Sequence, residues 1–308
     1  HPGAAAGLDP LGPLPGRCPI AANAVLRPPV PAEVRRHRFL VAVATRSGLI
    51  ACSIAFLAPF GFIVLTSVMT DHQALSQRLW PQPFRWHNYI DVFIQVPLLR
   101  YTANTLLYAG LATAGVLLSS IPVAYALAKL RWRLRGVCFV LVLATMMLPF
   151  QVTAVSLYVI FVRIHWVGTL LPLIVPAFFG DAFSIFLLRQ FFLTLPEEYL
   201  DSARVDGAGE LQVLRRVVVP MAKPAIAAVG LFNFLYAWND FFGPLLYTAE
   251  NQHNWTIAVG LSQFKTLYTV QWNLTMAATV LFMLPVILLF FFAQRAFIEG
   301  VTLTGVKG

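Results

Sequence analysis

The chain has 308 residues, of which 58% are hydrophobic and only 11% are charged, with a formal net charge of +9. Soluble proteins carry about a quarter charged residues, so this composition excludes an ordinary soluble enzyme. Membrane proteins keep Lys and Arg on the cytoplasmic side of their spans, which accounts for the positive charge. The sequence also has no basic module interleaved with aromatic residues, so we predict no nucleic-acid partner.

The N-terminal region, residues 1–46, is rich in Pro, Gly and Ala and carries the basic run Arg35-Arg36-His37-Arg38. Segments of this composition do not bury enough apolar surface to fold by themselves. We therefore predict a disordered, basic cytoplasmic extension ahead of the first membrane span.

The rest of the chain contains long apolar segments. A transmembrane helix needs about 20 consecutive apolar residues, and six segments meet this requirement. They are residues 47–69, 101–128, 136–160, 168–188, 224–248 and 274–293. The sequence thus predicts an all-α, six-helix transmembrane domain over 47–293 and a cytoplasmic tail over 294–308. Prolines inside the second, third and fourth segments predict kinks, which neighbouring helices can tolerate.

The distribution of basic residues predicts how the spans are oriented. With the N-terminus inside, 17 of the 22 Lys and Arg residues fall in cytoplasmic segments and 5 fall outside. Positive charge is retained on the cytoplasmic side, so both termini and the segment 196–223 should face the cytoplasm.

Motifs for catalysis, metal binding and nucleotide binding are absent from the sequence. It has no H-E-x-x-H, no G-x-S-x-G and no G-x-x-x-x-G-K-[ST], and its three cysteines follow no zinc or haem spacing. We therefore expect a non-catalytic chain with no metal and no cofactor of its own.

The segment 196–223 is polar and lies between two apolar spans. Pro196 is suited to a helix start, and Gly207 can take a left-handed turn that a side chain would resist. We predict two short helices around Gly207, the second ending at Pro220. Three- and four-residue spacing predicts one apolar face on the second helix, formed by Leu211, Leu214, Val217 and Val218.

The spacing of this segment resembles the EAA motif, E-A-A-x3-G-x9-I-x-L-P, of ABC-importer permease subunits. Asp201-Ser202-Ala203 stands for E-A-A, Gly207 for the glycine, and Val217, Val219 and Pro220 for the terminal residues. Ala237-Trp238-Asn239-Asp240 and the C-terminal residues 294–308 also resemble the carbohydrate branch of these MetI-like permeases, which includes maltose and glycerol 3-phosphate transporters. The resemblance covers residues 47–308.

This resemblance implies the type I importer fold, in the inner membrane of a bacterium or archaeon, with several partners. They are a second permease, an ABC ATPase dimer that binds ATP and Mg²⁺, an extracytoplasmic solute-binding protein and membrane lipid. The residues that the resemblance places against the ATPase are Glu198, Asp201, Ser202, Ala203, Asp206, Gly207, Leu211, Val217, Val219 and Pro220.

Polar side chains within spans are costly, and they often face a solute pathway or another helix. A sugar offers hydroxyls for hydrogen bonds and apolar faces for aromatic rings. The candidates for the pathway are Asn104, Gln151, Asn233, Tyr236, Trp238, Asn239 and Asp240. For several of them a bond between helices is the competing explanation.

Three alternatives to a sugar importer remain open at this point. The same type of importer could carry a glycerophosphodiester or another polar solute. A secondary transporter would use ion coupling and often shows inverted repeats, of which the sequence gives no clear sign. A membrane enzyme acting on lipid-linked sugar would need a carboxylate or metal cluster at the interface. Dependence of transport on a separate ATPase would distinguish the importer from the last two.

Overall fold

The structure is a computed structural model that describes residues 32–76, 80–264 and 270–305, with side chains described for 40–76, 80–264 and 270–291. Every regular element in these ranges is helical. The chain divides after Leu57 into two compact units, the first holding the N-terminal part of the first helix and the second holding the rest.

The helices are named here in chain order. They are α1 (Ala32–Ser67), α2 (Asp71–Ala74), α3 (Asn88–Gln95), α4 (Leu98–Ala128), α5 (Arg135–Met146), α6 (Phe150–Arg163), α7 (Leu171–Ile174), α8 (Ala182–Leu193), α9 (Glu197–Val205), α10 (Glu210–Val213), α11 (Val219–Met221), α12 (Lys223–Asn239), α13 (Phe242–Thr248), α14 (Ile257–Gly260) and α15 (Trp272–Gly305). Single-turn helices lie between some of them, at Val175–Phe179, Gln252–Asn254 and Leu261–Phe264, and a π-helical turn covers Leu214–Val218.

Helix α1 begins earlier than the sequence predicts. Residues 32–46, which we expected to be disordered, form its first turns. The last proline of the N-terminal region is Pro31, and the residues after it are Ala, Glu, Val and Arg, which a helix accepts. The remainder of the predicted extension, residues 1–31, lies outside the described residues.

Four helical stretches in the described residues are long and apolar enough to cross a membrane, and two bent pairs raise the number to six. The four are Leu40–Ser67, Leu98–Ala128, Leu171–Leu193 and Trp272–Phe291. The bent pairs are α5 with α6, at 93°, and Glu210–Met221 with α12, at 81°. We predicted six spans, and the described residues hold four to six candidate spans, the higher number counting each bent pair as one.

Breaks within three predicted spans have local causes. The third span bends at Pro149, which lacks an amide hydrogen and disfavours helical geometry at Leu148. Gly180, at φ +103°, and Asp181 interrupt the fourth span before α8. The fifth predicted span, 224–248, stops at Asn239, because the Asp240 carboxylate accepts the Gly243 amide at 3.0 Å and starts α13.

Helix α4 lies at the centre of the second unit. It packs against both α8 and α12, which also contact each other, and it contacts the turn Val175–Phe179. Near its C-terminal end, a buried apolar cluster joins it to α8, α9 and the π turn. A smaller cluster near its middle includes Tyr108, Ala112, Ile174 and Ala237. The helix therefore connects the two regions that the sequence singles out for function.

Helix α15 continues beyond the predicted sixth span. Its backbone is helical through Gly305, so most of the predicted tail over 294–308 extends this helix. The last three residues lie outside the described residues.

Candidate functional site

The segment 196–223, called the interspan segment from here on, forms a helical hairpin with a glycine turn. Pro196 precedes α9, as the sequence predicts, and Gly207 adopts φ +84° after the helix ends. The Gly207 amide donates to the Arg204 carbonyl and the Ala208 amide to the Ala203 carbonyl, each at 3.0 Å. These two bonds make a Schellman motif, which satisfies the last carbonyls of α9 and requires the left-handed glycine.

We had predicted that the second half of the hairpin ends at Pro220, but the helix does not end there. After α10 the backbone widens into the π turn, in which the Val219 amide donates to the Leu214 carbonyl, and α11 then runs through Pro220 to Met221. In a regular α-helix the proline ring would clash with the carbonyl four residues earlier, at Arg216. The wider turn accommodates the ring, so the helix continues through the proline.

Burial divides the hairpin into an inner and an outer face. Leu200, Val213, Leu214 and Val218 are buried in the cluster that joins α4 and α8. Leu211, which the spacing placed on one apolar face with Leu214, Val217 and Val218, is 63% exposed, whereas Val213 is buried in the short α10. The inner face therefore fixes the hairpin to the membrane helices and leaves the outer face free of the chain's own core.

The outer face carries most of the residues that the sequence placed against a partner. Glu198, Asp201, Ser202, Asp206, Gly207, Leu211 and Pro220 are exposed, and Ala203, Val217 and Val219 are half-buried. Sequence reasoning missed two further exposed apolar side chains, Tyr199 and Val205, the latter 87% exposed. Tyr199 precedes the buried Leu200 on α9 and Val205 follows it. Exposed apolar side chains of this kind are available for contact with another protein.

A charged network links the hairpin to α4. Arg204 on α9 donates to the Glu210 carboxylate at 3.0 and 3.3 Å and to the Asp201 carboxylate at 2.9 Å. The Tyr125 hydroxyl on α4 donates to the same Glu210 carboxylate. The hydrogen bond to Glu210, followed by that to Asp201, raises the pKa of the Arg204 guanidinium above its ordinary value, so this residue stays charged. The network holds α9 and α10 in one geometry and connects both to α4.

Lys129 makes a second connection at the end of α4. Its side chain is only 1% exposed, and its ammonium donates to the Leu195 carbonyl and to the Glu197 carboxylate, both at 2.8 Å. A buried ammonium is costly unless it is paired and hydrogen-bonded, and here both conditions are met. The start of α9 is thereby held against the end of α4.

Two cavities, of about 610 and 430 Å³, border both α4 and α12. The larger one also borders α7 and the start of α8, and the smaller one borders α6, α7 and α13. They share Tyr108, Leu173, Pro176 and Tyr236 in their linings. The larger cavity adds Asn233, and the smaller cavity adds Gln151 and Asp240. The structure thus brings together four of the seven pathway candidates, namely Gln151, Asn233, Tyr236 and Asp240.

Hydrogen bonds hold the polar side chains of the cavities in place. The Tyr108 hydroxyl donates to the Asp240 carboxylate at 2.9 Å, which joins α4 to the end of α12. Asn233 donates to the Ser184 hydroxyl at 2.9 Å, and Asp181 caps α8 by accepting the Ser184 amide at 2.7 Å. These bonds fix the orientation of the polar groups.

The three other pathway candidates lie elsewhere. Asn104 donates to the carbonyls of His253 and Trp255, at 2.7 and 2.9 Å. Trp238 is fully buried, and its ring stacks between Phe234 and Phe282. Asn239 bonds its own helix, through the Leu235 carbonyl, and lines neither cavity. The hydrogen bonds of Asn104 and Asn239 and the burial of Trp238 support structural roles.

Tyr108 is a cavity residue that the sequence reasoning overlooked, and Tyr247 is another. Tyr108 lies four residues after Asn104 and four before Ala112, and residues at that spacing share a helix face. The position of a polar aromatic on the same face as Asn104 was the available signal. Among the described residues, no group of three or more His, Cys, Asp or Glu could hold a metal ion.

Known proteins resemble this chain over most of its length. The arabinooligosaccharides transport system permease protein AraQ of Bacillus subtilis (strain 168) is 31% identical over 83% of this chain and 92% of its own length. The sn-glycerol-3-phosphate transport system permease protein UgpE of Yersinia pestis bv. Antiqua (strain Antiqua) is 30% identical over 82% and 92%. A solved bacterial ABC transporter, involved in the import of the acidic polysaccharide alginate, has a chain of the same fold. It aligns with a TM-score of 0.73 and 23% identity over 87% of this chain and 99% of its own.

A family assignment follows from these likenesses and from the sequence match. Residues 120–302 match the family described as binding-protein-dependent transport system inner membrane component. The matched range includes the interspan segment and both bent pairs of helices. The chain belongs to this family of membrane permeases, with the MetI-like fold of type I importers.

Proposed function

We propose that this chain is the permease subunit of an ATP-driven importer for a sugar or sugar-like solute, and that its interspan segment receives the motion of a separate ATPase. The observation that carries the proposal is the two-sided hairpin. Its inner face is buried against α4 and α8, whereas its outer face exposes Tyr199, Val205 and Leu211.

The connection between the hairpin and the membrane helices supports a mechanical role. The Arg204–Glu210–Tyr125 network and the Lys129–Glu197 pair join the hairpin to α4, and α11 leads directly into α12. Densely packed and hydrogen-bonded elements move as units and do not deform continuously. A displacement of the hairpin by a closing ATPase would therefore tilt α4 and α12, whose side chains line both cavities.

Transport in one direction requires the partners to favour different states of the permease. A ligand shifts a conformational equilibrium only through its different affinity for the two states. The closed, ATP-bound ATPase favours one state of the permease, and the open ATPase favours the other. The solute-binding protein delivers the solute on the opposite side. ATP and Mg²⁺ bind to the ATPase, and this chain contributes no catalytic group.

The positions of the basic residues support an orientation for this machine. With 17 of 22 Lys and Arg residues on the side of the interspan segment, both termini and this segment face the cytoplasm of a bacterial or archaeal inner membrane. A second permease subunit would complete the pathway as a heterodimer.

The relatives support the class of solute. AraQ is named for arabinooligosaccharides and UgpE for sn-glycerol 3-phosphate. The relatives therefore include proteins named for the transport of sugars and of a phosphorylated polyol. Family membership decides against the secondary-transporter alternative. An importer for a glycerophosphodiester or another polar solute remains the second candidate, and the likeness to UgpE, which is named for sn-glycerol 3-phosphate, supports a polar solute of this kind.

Uptake in proteoliposomes tests the proposal. The complete complex, with ATPase, second permease and binding protein, is reconstituted with Leu211→Glu or with the control Leu211→Met. The charged variant places a carboxylate in the proposed apolar contact and should reduce ATP-driven uptake at least tenfold, while the methionine variant should keep near-normal uptake. Equal uptake by both variants, or uptake without any ATPase, would contradict the proposal.

A further inference from the structure

The loop between α4 and α5, residues 129–134, borders a third cavity, which lies between this loop and the interspan segment. Its volume is about 1120 Å³. Most of the residues that line it are charged. They are Lys129, Arg131 and Arg135 from the loop and the start of α5, and Glu197, Asp201, Arg204 and Glu210 from the interspan segment. The loop therefore lies on the same side of the chain as the hairpin.

The three carboxylates of this cavity already have partners within the chain. Glu197 accepts the Lys129 ammonium at 2.8 Å. Asp201 and Glu210 both accept the Arg204 guanidinium, at 2.9 and 3.0 Å. A carboxylate paired in this way has its charge largely balanced by the adjacent cation, so these three groups do not neutralise the other arginines of the region.

Arg131, Arg133 and Arg135, called the arginine cluster from here on, have no such partner. They take part in no ion pair among the described residues. Arg131 and Arg133 are exposed, whereas Arg135 is half-buried and donates to the Leu130 carbonyl at 3.3 Å. Three like charges within five residues repel one another, so an anion beside them would stabilise the loop.

The helix that follows the loop makes the position of these charges more costly. Arg133 and Arg135 lie at the N-terminal end of α5, where the partial positive charge of a helix favours acidic side chains and not basic ones. The first turn contains no acidic residue. Retention of basic residues on one side of the membrane accounts for arginines in this loop, but it does not require them at this end of a helix.

An apolar surface continues from the arginine cluster along α5. No residue of this helix is buried, although part of it packs against α8. Leu134, Val137 and Leu141 are each more than half exposed, and their three- and four-residue spacing places them on one face. Trp132 is exposed in the loop, as is typical of tryptophan at a membrane–water interface. A cationic cluster beside an exposed apolar face matches the two parts of an anionic phospholipid.

We propose that the arginine cluster binds the headgroup phosphate of an anionic phospholipid, and that an acyl chain of this lipid lies along Leu134, Val137 and Leu141. The planar guanidinium suits this role because it donates two parallel hydrogen bonds to phosphate oxygens. A zwitterionic headgroup carries its own cation and would not balance the excess positive charge. The inference goes beyond the proposed function, and it uses the proposed orientation only to assign the lipid to the cytoplasmic leaflet.

Lipid-selective quenching of a fluorophore on α5 tests this site. The complex carries Val137→Cys in the cysteine-free background, is labelled with a thiol-reactive bimane and is reconstituted into vesicles of phosphatidylcholine and phosphatidylglycerol. Two sets of vesicles have the same composition and differ only in which lipid carries a doxyl quencher near its glycerol end. Doxyl-phosphatidylglycerol should quench at least about twice as strongly, because the arginines concentrate anionic lipid beside position 137.

Two other results would overturn the inference. Equal quenching by the two lipids would show that the anionic lipid is not concentrated at this face. Quenching by neither lipid would show that a segment of a protein partner covers it.

Matched variants assign the preference to the arginine cluster. Arg131→Gln with Arg133→Gln should make quenching by the two lipids equal, whereas lysine at both positions keeps the charge and should keep most of the preference. Arg215→Gln with Arg216→Gln is the control, since it removes two charges from exposed positions on the hairpin. It should leave the preference unchanged. An equal loss in the control and in the Arg131 and Arg133 variant would show an effect of general surface charge and contradict the site.

Inorganic phosphate distinguishes a lipid from a soluble anion at the same arginines. An excess of phosphate should change the preference no more than chloride at the same ionic strength, because phosphate has no apolar part to cover α5. A specific loss of preference in phosphate would overturn the assignment to a lipid. None of these measurements requires ATP or transport, so failure of the lipid site leaves the proposed importer function untouched, and failure of that function leaves the lipid site measurable.

Discussion

Gly207 shows how far a single residue could be predicted from the sequence. The spacing from Asp201 to Pro220 predicted a left-handed glycine, and the structure has φ +84° at that position. The burial of Leu200 and Val213 could not be predicted, because it depends on how α9 and α10 pack on α4. A spacing pattern can predict a turn, because the turn depends on the conformational freedom of one residue. Predicting which side chains are buried requires the positions of the neighbouring helices.

Replacing Gly207 by Val should destabilise the hairpin. A Cβ at this position meets no atom within 4 Å, so the penalty comes from the left-handed backbone alone and not from a clash. That conformation costs an L-residue about 1–2 kcal/mol, and more when the side chain is β-branched. Thermal unfolding of the detergent-solubilised complex should show a lower midpoint for Gly207→Val.

Gly209→Val is the matched control for that experiment. Gly209 also has open space around its Cβ position, but its φ is −69°, which valine accepts. Its unfolding midpoint should stay close to that of the wild type. If the two variants unfold at the same temperature, the left-handed turn is not what stabilises the hairpin.

At the scale of elements, hydropathy predicted where the spans lie but not where they break. Pro149 and Asp240 end helices inside the third and fifth predicted segments, through a missing amide hydrogen and a carboxylate that captures a backbone amide. A window of apolar residues averages over such local bonds. The π turn before Pro220 was not predicted either. Its wider backbone depends on packing, which a spacing pattern does not describe.

The pair between Lys129 and Glu197 should stabilise the contact of α4 with α9. Glu197→Gln leaves a nearly buried ammonium without its charged partner, although the Leu195 carbonyl still accepts from it. Because Glu197 is itself more than half exposed, solvent screens the pair, and we expect a loss of about 1–2 kcal/mol. The unfolding midpoint of the complex measures this loss.

Glu198→Gln provides the comparison for the ion pair, since Glu198 is an exposed neighbour on the same first turn of α9. It removes the same charge at the helix N-terminus but not the contact with Lys129. A midpoint for Glu198→Gln as low as that for Glu197→Gln would show that the helix dipole, and not the ion pair, accounts for the change.

At the scale of the whole molecule, one chain supplies only part of a transporter. The larger cavity is lined by residues of α4, α7, α8 and α12, and the smaller one by residues of α4, α6, α7, α12 and α13, with the exposed Tyr236 in both linings. The sequence predicted four of the residues that line them, because polar residues in apolar spans are rare. It did not predict Tyr108 or Tyr247, since tyrosine in a span is equally consistent with packing.

The orientation of the molecule is tested by cysteine labelling in cells. In a background without Cys18, Cys52 and Cys138, a membrane-impermeant maleimide should label Trp86→Cys from outside, because Trp86 is exposed on the proposed outer side. It should not label Val205→Cys until the membrane is permeabilised. Labelling of Val205→Cys in intact cells would reverse the proposed orientation.

The central claim is that the outer face of the interspan segment binds an ATPase, and site-specific cross-linking tests it most directly. Val205→Cys, in the cysteine-free background, is treated with a short bifunctional maleimide in native membranes, with Trp86→Cys as the control. We predict a cross-link from position 205 to a Walker-type ATPase, with a yield that changes when ATP is added, and none from position 86. No cross-link to an ATPase from position 205, in membranes where the transporter imports its solute, would contradict the account.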